Sequence, residues 1–219
     1  EQWAQQAIGL GAAHTQSRAA GIRIAVLDTG IDAAHPALAG RLLPGFDFVD
    51  GDADPSEVGS PAQPSFGHGT HVAGLLALVA PEAKILPLRI LDAQGMGNAW
   101  VLAEAMLHAA DPDGDPRTDD GAHVINLSLG TRAKTQLFKA VAKLVSCKQD
   151  KDDKDDDDDA IDAASANDKL RCQAFGGAVV VAAAGNQGSA TTREYPAAEK
   201  SPALLSVAAT DRQGRLSRF

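Results

Sequence analysis

Long apolar runs recur along this chain and alternate with segments in which apolar and polar residues are mixed at helical spacing. A run that stays apolar at consecutive positions is typical of a strand buried on both faces of a sheet. Five such runs predict strands, over Ile22 to Leu27, Ala83 to Ile90, His123 to Leu127, Ala178 to Ala183 and Leu204 to Ala208.

The mixed segments between these runs predict three helices, over Thr70 to Leu78, Ala99 to Ala110 and Lys134 to Val145. Asn98 is a suitable N-cap for the second helix. Leu137, Val141 and Leu144 give the third helix one apolar face. This alternation predicts an α/β fold, a doubly wound parallel sheet flanked by helices on both faces.

Ligand groups of such a sheet collect at the carboxyl ends of its strands. Asp28, Ser128 and Asn186 lie at or just after predicted strand ends, so we expect them to contribute to one site. The length of 219 residues suits a single domain. Three segments rich in Asp, Gly, Pro or Lys are predicted loops, namely Asp50 to Pro64, Asp111 to Asp120 and an Asp-rich insertion at about residues 148–171.

The charge of the chain excludes some classes of function. The net charge is −9, and the run from Asp150 to Asp159, with eight Asp and two Lys, contributes −6 of it. No basic patch is present, so a nucleic-acid partner is not expected. The apolar runs are far shorter than the roughly 20 residues that cross a bilayer, so no membrane span is expected. Because residue 1 is Glu, we expect either a removed leader or an internal fragment.

Two cysteines flank the Asp-rich insertion, Cys147 before it and Cys172 after it. In an oxidising compartment, a disulfide between them would close the insertion at its base. Two unrelated free thiols are the alternative, and the sequence leaves both open. A secreted or extracellular location is the expectation.

Three short blocks contain the residue types of a serine hydrolase. A hydroxyl nucleophile needs an imidazole that takes its proton and a carboxylate that holds the imidazole in the correct tautomer. Asp28 lies in Val-Leu-Asp-Thr-Gly, His68 lies in Gly-His-Gly-Thr-His, and Asn186 follows Ala-Ala-Gly. With Val-Ile-Asn-Leu-Ser-Leu-Gly at 124–130 and the order of the blocks, the sequence resembles the subtilisin-like serine endopeptidases.

The resemblance implies a role for each of these residues. Asp28 would orient the imidazole, His68 would act as general base, and Asn186 would donate a hydrogen bond in the oxyanion hole. The implied fold is a subtilisin-like domain, partial at its carboxyl end. No cofactor is required by this chemistry.

The resemblance also implies a polypeptide substrate that binds as an extended strand. The residues expected to contact it are Gly95, Gly97, Ser128, Leu129, Gly130, Ala183, Ala184 and Gly185. Glu194 falls where the family has the floor of its first specificity pocket. An acid there would favour a basic residue before the scissile bond, unless the neighbouring Arg193 neutralises it.

The metal sites suggested by the sequence are weak. His71 follows His68 by three residues, but no third ligand lies nearby, so zinc is not expected. The Asp that binds calcium in many relatives is replaced by Ala37, so that calcium site is not expected either. Asp111, Asp113 and Asp115 offer oxygen ligands at alternate positions and form a possible calcium site, with Asp119 and Asp120 just beyond them and a solvated turn as the alternative.

The nucleophile is missing from the sequence. No serine lies in a Gly-Thr-Ser-Met-like turn, so we expect the attacking serine on residues that follow Phe219 or on a companion polypeptide. This chain alone is then expected to be inactive. A non-catalytic peptide-binding relative is the main alternative. A nucleotide-binding domain is rejected, because Asp28-Thr29-Gly30 is not a Gly-rich phosphate loop.

Overall fold

The computed structural model describes residues 3–147, 165–189, 191–199, 201 and 204–218. These residues form one sheet with two layers of helices. The strands are β1 Arg23–Asp28, β2 Phe46–Asp47, β3 Lys84–Arg89, β4 Val124–Leu127, β5 Val179–Ala183 and β6 Leu204–Val207. All neighbouring strands are parallel, in the order β2-β3-β1-β4-β5-β6. The five predicted strands are present, whereas the two-residue β2 is too short to give an apolar pattern and was not predicted.

Six α-helices accompany the sheet within the described residues. They are α1 Trp3–Ala7, α2 Leu10–Gln16, α3 His68–Val79, α4 Ala99–Ala110, α5 Gln136–Ser146 and α6 Ala166–Ala174. Asn98 caps α4 as predicted, because its side chain accepts from the backbone N–H groups of Trp100 and Val101. None of the helices in these parts of the chain is long and apolar enough to cross a membrane.

The two faces of the sheet bury separate apolar clusters. Along β1, Ala25 and Leu27 point into a cluster with α4 and α5, whereas Val26 points into a second cluster with α3. Successive side chains of a strand point to opposite faces, so this alternation means that both faces of β1 are covered. The predicted doubly wound arrangement is confirmed.

The prediction of a loop over residues 148–171 is wrong in its last part. Residues 166–171 belong to α6, which begins with a capping box between Ser165 and Asp168. Each of these two side chains accepts a hydrogen bond from the backbone N–H of the other residue. This satisfies two of the unpaired donors at the start of the helix. Residues 148–164 of the insertion lie outside the described residues.

Cys147 and Cys172 form a disulfide. Cys147 follows the last residue of α5, and Cys172 lies in α6. The alternative of two free thiols is therefore wrong. The disulfide joins the two helices that flank the insertion.

Candidate active site

The end of β1 and the start of α3 bring a carboxylate and an imidazole together. Asp28, the last residue of β1, is only 1% exposed, and its Oδ1 lies 2.7 Å from Nδ1 of His68, the first residue of α3. The same oxygen accepts from the backbone N–H of Thr29 at 2.8 Å. The imidazole is partly open to solvent, with 44% of the side chain exposed. A buried carboxylate thus holds one ring nitrogen of an accessible histidine.

This contact sets the protonation behaviour of the histidine. The hydrogen bond to Asp28 raises the pKa of the His68 imidazole above its ordinary value of 6.5. Partial burial acts in the opposite direction, while the negative charges of Asp28 and Glu57 add to the rise. The pair therefore favours the cationic imidazolium, the form that a general base reaches when it has taken a proton.

The close approach of α3 to β1 requires glycine at position 69. A Cβ atom added to Gly69 would overlap the carbonyl oxygen of Gly30. The backbone N–H of Gly69 donates to Oγ1 of Thr29 at 3.1 Å. The small residue after the histidine lets the helix end dock directly against the strand end.

Glu57 is a site residue that the sequence did not reveal. It lies in the loop before α3, and its carboxylate accepts hydrogen bonds from Thr29, Gly67 and Thr70. It belongs to no motif, and its contact with the helix start depends on the path of the preceding loop. The sequence held no local signal for it.

A cavity of about 540 Å³ opens beside His68. Five predicted substrate-binding residues line it together with the histidine: Gly95, Gly97, Ser128, Leu129 and Gly130. Its apolar wall includes Leu91, Leu102 and Phe138. The structure therefore brings the segments around residues 95 and 130 to the same cavity.

Four other predicted residues lie at the carboxyl end of β5 and are not among the residues that line this cavity, namely Ala183, Ala184, Gly185 and Asn186. Ala183 ends the strand, the backbone N–H of Ala184 donates to Val207, and Asn186 is exposed. Only β4 separates β5 from β1 in the sheet. Asn186 thus lies at the same edge of the sheet as Asp28.

Glu194 lies between two of the predicted substrate segments, those around Gly130 and Gly185. It is buried, and its side chain contacts Gly130 on one side and Gly185 on the other, so closely that a Cβ at Gly185 would overlap it. Among the described residues it pairs with Arg132, whose Nε lies 3.8 Å from Oε1 of Glu194. No ion pair between Glu194 and Arg193 is present in the described structure. The arginine that faces Glu194 is therefore Arg132 and not the neighbouring Arg193.

The acidic loop at residues 111–120 differs from its predicted arrangement. The carboxylates of Asp111, Asp113 and Asp120 lie within 4.8 Å of one another and could hold a metal ion. Asp115, the third predicted ligand, is not part of this group and instead binds the guanidinium of Arg117. Burial and the nearby charges of Asp120 and Asp113 raise the pKa of Asp111.

A family model described as the subtilase family matches residues 19–219 of this chain. The chain belongs to the subtilase family. The subtilase is 36% identical over 209 residues to a thermophilic serine proteinase of Bacillus sp. (strain AK1), covering 91% of this chain and 41% of that protein. It is 35% identical over 229 residues to thermitase of Thermoactinomyces vulgaris, covering 100% of this chain and 65% of thermitase.

A solved structure, that of a cold adapted subtilisin-like serine proteinase, superposes on this subtilase with a TM-score of 0.63 at 26% sequence identity. The match covers 93% of this chain and 60% of the other. The subtilase therefore spans less than two thirds of the length of each of these relatives.

Proposed function

We propose that this subtilase is a serine endopeptidase in which His68 is the general base and Asp28 orients it. The observation that carries the proposal is the 2.7 Å contact between Nδ1 of His68 and Oδ1 of Asp28 beside a cavity. With Nδ1 held by the carboxylate, the other ring nitrogen, Nε2, is left to take the proton of a hydroxyl nucleophile.

In the proposed reaction, His68 first takes a proton from the serine and then gives it to the leaving group. As the serine oxygen bonds to the carbonyl carbon of the substrate, its proton passes to Nε2 of His68. The imidazolium, stabilised by Asp28, then gives that proton to the leaving amine as the peptide bond breaks, which leaves the acyl group on the serine. Water then attacks this ester and gives a proton to Nε2, and that proton returns to the serine oxygen as the acid is released. The raised pKa of His68 supports this role, because it favours the protonated intermediate state of the base.

We place the nucleophilic serine outside residues 1–219, on a further segment of the encoded protein or on a companion polypeptide. In support, no serine of this sequence lies in a Gly-Thr-Ser-Met-like turn, and the relatives are longer than this chain. On this proposal residues 1–219 alone do not hydrolyse peptides. The disulfide supports an oxidising, extracytoplasmic location for the protein.

Asn186 is proposed as the oxyanion donor, and an extended polypeptide as the substrate. The proposed contacts of the peptide backbone are with the segments around Gly95, Ser128 and Ala184. The glycines that flank these segments let a peptide approach closely. Removal of an oxyanion donor typically lowers kcat by about 10²- to 10³-fold, a value that comes from a subtilisin, a relative of this chain.

Glu194 is proposed to select a basic residue immediately before the scissile bond. Its carboxylate is buried between the backbones of Gly130 and Gly185, where a charged side chain of a substrate could pair with it. The test compares peptides with Lys, Arg or Leu at that position in the wild type and in Glu194→Gln. We expect the wild type to prefer Lys and Arg and the variant to lose that preference. A wild type without it would contradict the proposal and would indicate that Arg132 neutralises the pocket.

Calcium is a further proposal, for the loop at residues 111–120. The close carboxylates of Asp111, Asp113 and Asp120 suit a hard cation, and the buried Oδ1 of Asp111 has no hydrogen-bond partner in the described structure. We expect calcium to raise the Tm of the wild type and to leave that of Asp113→Asn unchanged. Asp54→Asn, a change in another exposed loop, is the control. A wild-type Tm that does not respond to calcium would exclude the site.

The function is tested by labelling the complete encoded protein with a fluorophosphonate, which reacts with activated serines. We expect labelling of the wild type and at least a 100-fold slower reaction of His68→Ala, which lacks the base. A folded wild-type protein that remains unlabelled would favour the alternative, a peptide-binding relative without hydrolytic activity.

A further inference from the structure

We propose that Glu57 is a positioning residue for the proposed peptidase reaction, because it ties the strand end that carries Asp28 to the helix start that carries His68. The inference rests on the proposed function, since it concerns the alignment of the same two side chains. Glu57 itself lies outside the residues that line the cavity beside His68.

At the strand end, the contact runs through Thr29. The Thr29 hydroxyl donates to Oε1 of Glu57 at 2.8 Å and accepts from the backbone N–H of Gly69 at 3.1 Å. The backbone N–H of Thr29 donates to Oδ1 of Asp28, the oxygen that faces His68. Because Gly69 occupies the acceptor side of the hydroxyl, Glu57 determines where its proton points. A shift of Glu57 would therefore move Thr29, whose backbone holds the carboxylate of Asp28.

At the helix start, the carboxylate holds the N-cap residue and a side chain of the first turn. Gly67, the N-cap residue of α3, has no side chain that could accept from the first turn. Its backbone N–H donates to Oε1 of Glu57 at 2.6 Å, and the hydroxyl of Thr70 donates to Oε2 at 2.9 Å. A negative charge at this position also interacts favourably with the helix dipole. Glu57 thus fixes the turn of α3 from which His68 projects.

The loop that carries Glu57 is itself held against β1. The backbone N–H of Ile31 donates to the carbonyl of Pro55 at 3.0 Å, and a Cβ at Gly30 would overlap the backbone at Ser56. Glu57 is the acceptor in all three of its hydrogen bonds, as an ionised carboxylate must be. One half-buried side chain therefore supplies a fixed bridge and a negative charge close to His68.

The test uses NMR titration of His68 and peptide hydrolysis, both in the complete encoded protein. Glu57→Gln removes the charge, Glu57→Asp keeps the charge but is one methylene shorter, and Glu82→Gln is the control. Glu82 is an exposed acid that pairs with Arg18 on the surface. Circular dichroism confirms that each variant is folded.

We expect Glu57→Gln to move the titration midpoint of His68 to lower pH and to reduce kcat/KM by about 10- to 100-fold, because small misplacements of reacting groups are costly. Glu57→Asp should keep the wild-type midpoint, since the charge remains, but its kcat/KM should be lower than that of the wild type. Glu82→Gln should change neither. A merely structural role would lower stability and leave the midpoint of the folded variant unchanged.

A folded Glu57→Gln variant in which either the midpoint or kcat/KM stays at the wild-type value would overturn the proposal. If that variant does not fold, Glu57→Asp decides, and wild-type kcat/KM in it would contradict the positioning role. A wild type that does not hydrolyse peptides would count against the proposed function instead. The titration needs no substrate, so in that case it still decides whether Glu57 acts on His68.

Discussion

Asp28 and His68 are 40 residues apart in sequence, yet Oδ1 of one lies 2.7 Å from Nδ1 of the other. The contact forms because Asp28 ends the central strand β1 and His68 begins α3, the helix that packs on one face of that strand. The carboxyl end of a parallel strand and the start of a helix thus meet at one edge of the sheet, where sites of this fold class lie.

The docking of α3 on β1 depends on the absence of a side chain at Gly69. We expect Gly69→Ala to destabilise the protein by about 1–3 kcal/mol, because the added methyl group overlaps the carbonyl oxygen of Gly30. Gly74→Ala, in the same helix, is the matched control. It has open space around it and should be neutral or stabilise by up to about 1 kcal/mol. The measurement is urea unfolding, and equal effects of the two changes would contradict this account.

A buried ion pair holds the end of β3. Arg89 is 3% exposed and binds the carboxylates of Asp47 and Asp50. We expect Arg89→Ala to cost about 3–5 kcal/mol of unfolding free energy, because it leaves Asp47 buried without its partner. Arg18→Ala, which removes a surface pair with Glu82, should cost less than about 1 kcal/mol. If Arg89→Ala lowers the free energy of unfolding as little as Arg18→Ala does, the buried pair does not stabilise the fold.

The raised pKa of His68 predicts how stability depends on pH. A group whose pKa is higher in the folded state contributes stability that is fully present below its unfolded pKa, about 6.5, and is lost as pH rises through the folded value. The stability difference between the wild type and Asp28→Asn should therefore be larger at about pH 5.5 than at about pH 8.5. Unfolding measured across this range checks the prediction.

His108 is an internal control for the NMR titration of His68. Burial lowers the pKa of His108, and the charge of Asp120 opposes that change only in part. In an NMR titration of the wild type, His108 should titrate below 6.5 and His68 above it. The reverse order would contradict the electrostatic account of the Asp28 and His68 pair.

The sequence predicted the sheet and its main helices because continuous apolar runs and helical periodicity report burial directly. It missed β2 for lack of length. It also missed α6, because the Asp-rich composition around it suggested a loop although Ser165 and Asp168 already had capping-box spacing. The capping-box spacing of Ser165 and Asp168 was a better predictor of α6 than the local amino-acid composition.

The site was predictable where residues lie in motifs and unpredictable where they meet through loops. Asp28 and His68 lie in recognisable blocks, whereas Glu57 reaches α3 only because its loop crosses the end of β1. In the acidic loop, alternate spacing suggested Asp115. The turn instead directs that side chain to Arg117 and brings Asp120 to Asp111 and Asp113. Spacing in sequence does not determine such turns.

We propose that His68, oriented by Asp28, is the base of a serine peptidase. The most direct test of this proposal is the hydrolysis of a peptide by the complete encoded protein, compared with His68→Ala and Asp28→Asn variants shown to be folded. We predict turnover by the wild type and a loss of kcat of about 10⁴-fold or more in each variant, since one lacks the base and the other holds it in the wrong tautomer. Hydrolysis by either variant at the wild-type rate would contradict the account.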